Sequence, residues 1–122
     1  MRRRAPPIVA WLKSTSGQTR FCSVISIGEI TKGIEKRRKS DEPLAARLAV
    51  WLRDLEMEFG ERVLPITTEI AVAWGRIASG RTRDTADSLI AATAIVHDLT
   101  LVTRNTRDFA DLSIKLYDPW SA

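Results

Sequence analysis

Glu29, Asp87 and Asp108 are three acidic residues, far apart in sequence, whose positions allow shared chemistry. Glu29 follows the β-favouring run Phe21–Ile25. Asp87 lies in the opening turn of a long apolar helical stretch. Asp108 follows the run Leu99–Thr103, past the loop Arg104-Asn105-Thr106-Arg107. In parallel α/β sheets, ligands bind beyond the carboxyl ends of the strands, so these distant positions can converge on one rim. Carboxylates gathered there raise one another's pKa unless a cation shares the charge. Mg²⁺ or Mn²⁺, hard ions that prefer oxygen ligands, would do so. An ion held this way can activate water and stabilise a phosphodiester transition state. Each acid also has an ordinary structural reading. Glu29 completes a Ser26-x-x-Glu29 capping box, Asp87 complements a helix dipole, and Asp108 caps or solvates a short surface turn.

The elements that must position these side chains are legible as alternating short apolar runs and longer amphipathic stretches. Pro6 and Pro7 suit a first helical turn, with Ile8, Val9, Trp11 and Leu12 as its apolar face and an end near Ser16-Gly17. After Phe21–Ile25, the spacing of Ile27, Ile30 and Ile34 predicts a helix that runs into Glu35-Lys36-Arg37-Arg38-Lys39. Ser40-Asp41-Glu42-Pro43 reads as the next helix start. Leu44, Leu48, Trp51, Leu52, Leu55 and Phe59 form its stripe and Gly60 its stop. Arg62–Ile66 reads as a strand, with Pro65 at its edge or end. A helix capped by Thr67 or Thr68 carries Ile70, Ala73, Trp74 and Ile77 to Gly80. The helix from Asp84 to His97 is apolar on nearly every side, which places it at a domain centre. Asp98 turns the chain into Leu99–Thr103. A short helical turn at Thr106–Ala110 and a strand at Ile114–Tyr117 close the pattern. Strands separated by helices argue an α/β fold with a mainly parallel sheet and helices on its faces, a three-layer α/β/α arrangement.

A chain of 122 residues allows one small domain, taken as 1–122. Cys22 is the single cysteine, which excludes an internal disulfide and fits a reducing cytoplasm; its strand context makes it a core residue. No apolar run approaches a membrane span, so no membrane association is expected. The net charge of +4 suits an anionic partner such as nucleic acid, and equally ordinary solubility. Arg104 and Arg107 flank the candidate site and are the best placed for RNA phosphates. Arg81, Arg83 and Lys36–Lys39 are further cationic positions, the last group also reading as a solvated helix end favoured by the dipole. The four tryptophans, Trp11, Trp51, Trp74 and Trp120, read as packing residues, and His97 sits at a helix C-terminus without a catalytic role.

Asp84-Thr85-Ala86-Asp87-Ser88-Leu89-Ile90-Ala91-Ala92-Thr93-Ala94, followed by Leu99-Thr100-Leu101-Val102-Thr103-Arg104-Asn105-Thr106-Arg107-Asp108-Phe109, resembles the C-terminal half of the PIN-domain toxins of the VapC/FitB kind. Ser26–Glu35 resembles that family's second acidic motif, and Tyr117-Asp118-Pro119-Trp120 the close of many members. The resemblance implies a single-domain endoribonuclease of a type II toxin–antitoxin system, dependent on Mg²⁺ or Mn²⁺. Glu29, Asp87 and Asp108 would be its catalytic and metal-holding acids, and Thr103 and Asn105 would support the site by hydrogen bonding. It further implies an RNA substrate, a cognate antitoxin and a homodimer. Asp84 is extra to the family pattern and reads as the N-cap of its helix.

The sequence departs from that pattern at its beginning. The family opens with a strand that ends in a metal-binding aspartate, and Arg2–Trp11 resembles the segment that comes just after that strand. The expectation is therefore a PIN-like sheet whose first, central strand is missing, with weakened metal binding and impaired catalysis. The competing reading is a remnant that binds antitoxin or RNA without cutting. A generic α/β hydrolase with an acidic site is a third.

Overall fold

The computed structural model describes residues 20–119. The expected helix after Pro6, together with Trp11 and Trp120, lies outside those residues. Among those residues, ten elements run in order: β1 Cys22–Ser23, α1 Val24–Arg38, α2 Glu42–Phe59, a 3₁₀ turn Gly60–Arg62, β2 Val63–Leu64, α3 Thr68–Gly80, α4 Thr85–Val96, β3 Leu101–Val102, α5 Thr106–Phe109 and β4 Leu116–Tyr117.

The helix boundaries reflect local chemistry. Asp41 caps α2 by accepting from the Leu44 amide at 3.1 Å, with Pro43 in the first turn. Thr67 caps α3 through the Ile70 amide at 3.2 Å. Gly60 stops α2 at φ +52°, a left-handed conformation that disfavours a side chain. Asp98, at φ +53°, turns the chain out of α4; aspartate tolerates that region better than most residues.

The strands are shorter than the β-favouring runs that contain them. β1 pairs in parallel with β2 through Cys22↔Val63 and Ser23↔Leu64, and β3 pairs in parallel with β4 through Leu101↔Leu116 and Val102↔Tyr117. Beyond Leu64, Pro65 brings no amide proton to continue a ladder. On the other strand, the Ser23 hydroxyl accepts from the Ile25 amide at 3.1 Å, so Val24 and Ile25 open α1 instead of extending β1. Between the two pairs lies a cleft of about 860 Å³ whose walls include Cys22, Ser23, Leu64, Leu101, Val102 and Leu116. No strand among the described residues bridges the pairs.

Two apolar clusters hold the fold. Ile70 and Ile77 of α3, Ala91, Ala92 and Ala94 of α4, Leu101 of β3 and Phe109 of α5 form the larger. Ile34 of α1 with Ala45 and Leu52 of α2 form the smaller. Trp74 packs against the larger cluster as expected. Trp51 does not serve packing as expected: it is 50% exposed, because Leu52 and Ala45 turn the buried side of α2 toward α1 and leave the adjacent position outside.

Candidate functional site

β1 and β3 each deliver an acid-bearing segment from their carboxyl ends. After β1, Glu29 is carried on α1, in its second turn and exposed. The expected capping box does not form, because Ser23 caps the helix and Ser26 lies inside it, three residues along. Glu29 is thus left without a capping task. Cys22 is half-buried, its thiol donates to the Ser23 carbonyl at 3.4 Å, and burial raises its pKa. It lines the cleft rather than a sealed core.

After β3, the chain is held by main-chain and side-chain bonds in turn. The Thr103 amide donates to the Tyr117 carbonyl at 3.0 Å, and the Thr103 hydroxyl accepts from the Asn105 amide at 3.0 Å. Asn105 precedes α5 and its carbonyl accepts from the Asp108 amide at 3.0 Å. Thr103 therefore shapes the turn that presents Asp108, while the Asn105 side chain makes no capping bond. Asp108 projects from α5, with an Arg81 guanidinium nitrogen 3.8 Å from its carboxylate.

Asp87 comes from the third direction, in the first turn of α4. Asp84 is the N-cap of that helix, as its position suggested: its carboxylate accepts from the Asp87 amide at 3.2 Å. The Asp87 carboxyl is pushed above the usual carboxylate range, first by burial and then by the charges of Asp84, Asp108 and Glu29. Like charges disfavour one another's ionised forms, which is the direction in which the three neighbours act on this carboxyl. Asp84 is thus a fourth acid bearing on the site, beyond its capping role.

The donor chemistry of this group fits a hard divalent cation. Its spacing is looser than a closed cage: among the described residues, no three acids, histidines or cysteines stand close enough to hold one ion together. A cation here would be held by one or two carboxylates, with water completing its shell, as magnesium tolerates.

The surrounding cations divide into two kinds. Arg104 and Arg107 are exposed, on the turn before α5 and in its first turn. Arg83 is withdrawn from such a role. Its side chain is 3% exposed, donates to the Asp108 carbonyl at 2.9 Å and pairs with Asp111. That pairing holds the Asp111 carboxyl below its usual range. Arg81 also engages Asp111, at 3.3 Å. Arg38 is bound by Glu35 at 2.9 Å and Glu42 at 3.2 Å, while Lys36, Arg37 and Lys39 are exposed at the end of α1. His97 caps the end of α4, its amide bonded to Thr93. No helix of the described residues is long and apolar enough to cross a membrane.

Residues 2–115 match the PIN domain family. The toxin FitB of Neisseria gonorrhoeae is 32% identical over 120 residues, which cover 93% of this chain and 84% of that protein. The VapC ribonuclease Y4jK of Sinorhizobium fredii is 26% identical, with the same coverage of both. The crystal structure of FitAcB from Neisseria gonorrhoeae superposes with a TM-score of 0.74 at 26% identity, over 98% of this chain and 91% of that one.

Proposed function

This chain belongs to the PIN domain family, and from that membership we propose that it is the toxin of a toxin–antitoxin pair, an endoribonuclease dependent on Mg²⁺ or Mn²⁺. What supports this reading is the match of residues 2–115 to the PIN domain family, together with the placing of Glu29 after β1, Asp108 after β3 and Asp87 in the first turn of α4.

In this reading Asp87 and Asp108 hold the cation and Glu29 positions it or the attacking water. When bound, the ion lowers the pKa of that water and offsets the charge that builds on a phosphodiester in the transition state. Thr103 fixes the turn before α5 and, with Asn105, keeps Asp108 presented. Arg104 and Arg107 draw the RNA backbone toward the acids. Apolar side chains exposed along α2, namely Val50, Trp51 and Met57, offer a surface for the antitoxin or for a second copy in a homodimer, with the cytoplasm as the setting.

The test is RNA cleavage by the chain and by its Asp87→Asn variant in Mg²⁺ and in Mn²⁺. Metal-dependent cutting that the variant loses supports the proposal; cutting unchanged in the variant overturns it. The second reading, a domain that binds antitoxin or RNA but cuts poorly, is favoured by the absence of a closed three-ligand group among the described residues. RNA binding by the chain without metal-dependent cleavage would establish it.

A further inference from the structure

Arg83 lies on the loop between α3 and α4, one residue before the N-cap Asp84, and its side chain is 3% exposed. Burying a guanidinium is costly unless charge and hydrogen bonds compensate it. Here the compensation comes from one distant segment. Nε donates to the main-chain carbonyl of Asp108 at 2.9 Å, 25 positions away, and Nη2 pairs with the carboxylate of Asp111, 28 positions away. The same planar group therefore clasps α5 and the turn after it to the start of α4. Among the described residues, no strand pairing joins these two segments. Arg81 adds a looser clasp to the same pair of aspartates, from a side chain that is 45% exposed.

We infer that Arg83 is a positioning residue that sets the separation of Asp87 and Asp108, and through it the affinity of the site for a divalent cation. The inference rests on the proposed metal-dependent reading of that site. Arg83 does not touch the Asp87 or Asp108 carboxylate. It fixes the backbone that carries one of them against the helix end that carries the other. Arginine suits the task because its fork makes both bonds at once in a fixed plane, which a lysine cannot reproduce.

The experiment titrates MnCl₂ calorimetrically into the full chain and into Arg83→Gln, Arg83→Lys, Asp111→Asn and Asp87→Asn variants, each checked for folding by circular dichroism. Loss of a group bonded directly to a metal ligand typically weakens binding about 10–100-fold. Arg83→Gln, which acts through the backbone that carries Asp108, is expected at about tenfold, the low end of that range. Arg83→Lys should recover part of the loss, and Asp111→Asn, at an exposed carboxylate outside the acidic group, should weaken binding a few-fold while staying folded. Metal affinity unchanged in folded Arg83→Lys and Asp111→Asn would overturn the inference, even where Arg83→Gln fails to fold. Asp87→Asn separates the two layers. If that variant binds Mn²⁺ as well as the parent, the site reading itself falls and takes the positioning role with it. If it alone loses binding, the site stands and Arg83 is structural only.

Discussion

The half of the molecule built from α3, α4, β3 and α5 closes over Ile70, Ala91, Ala92 and Phe109, each at most 2% exposed. The α1–α2 hairpin closes over Ile34, Ala45 and Leu52 and leaves Val50, Trp51 and Met57 between 50 and 77% exposed. The candidate site straddles this divide. Asp87 and Asp108 grow from the densely packed half, where Arg83 ties the Asp108 backbone and Asp111 to the loop before α4, whereas Glu29 stands exposed on α1. In the proposed reading, the two aspartates are then the fixed pair and Glu29 the adjustable third member.

The contrast can be broken most forcefully through the cores. Phe109→Ala should cost about 3–5 kcal/mol in a denaturant titration, the usual range for a large buried aromatic. Trp51→Ala should cost about 0.5 kcal/mol or less. Similar losses would mean that the two halves are not packed differently. Next in size are the acids. Asp108→Asn should lower metal-dependent RNA cleavage about a hundredfold, and Glu29→Gln about tenfold, equivalent to roughly 2.7 and 1.4 kcal/mol of barrier. Equal losses would place Glu29 in the fixed set. Asp84→Ala removes the cap of α4, which costs about 1 kcal/mol, and removes one charge from beside Asp87, so the measured loss should fall below that figure.

The smallest effect is a pH dependence. The folded pKa of Asp87 is raised above the ordinary 3.8. The stability tied to its protonated form is therefore full below 3.8 and lost as pH rises through the folded value. In metal-free thermal melts between pH 4 and 7, the parent should lose stability relative to Asp87→Asn, by about 0.5 kcal/mol or less at this partly exposed position. A parent that gains on the variant over that window would show that the crowding is absent.

Much of this was legible in local sequence chemistry. Asp41, Thr67 and Asp84 cap helices where their positions suggested, Gly60 and Asp98 turn the chain, and the apolar run after Asp87 is the central helix. What local reading missed depends on partners distant in sequence. Phe21–Ile25 is five β-favouring residues, yet β2 offers only two to pair with, and Ser23 takes the cap that Ser26 seemed placed to supply. Arg83 looked like a cation available to phosphate, and nothing near it in sequence announces a bond to a carbonyl 25 residues on. Strand ends alone allowed Glu29, Asp87 and Asp108 to meet on one rim, while the influence of the Asp84 charge on Asp87 required the folded arrangement.

The most direct check on the shared acidic site is a paramagnetic titration, in which substoichiometric Mn²⁺ is added to ¹⁵N-labelled chain and amide signals are tracked residue by residue. Broadening that begins at Asp87 and Asp108, extends to Glu29 and is suppressed in Asp87→Asn is the predicted result. Broadening centred elsewhere, or at one acid with the other two untouched, would contradict it.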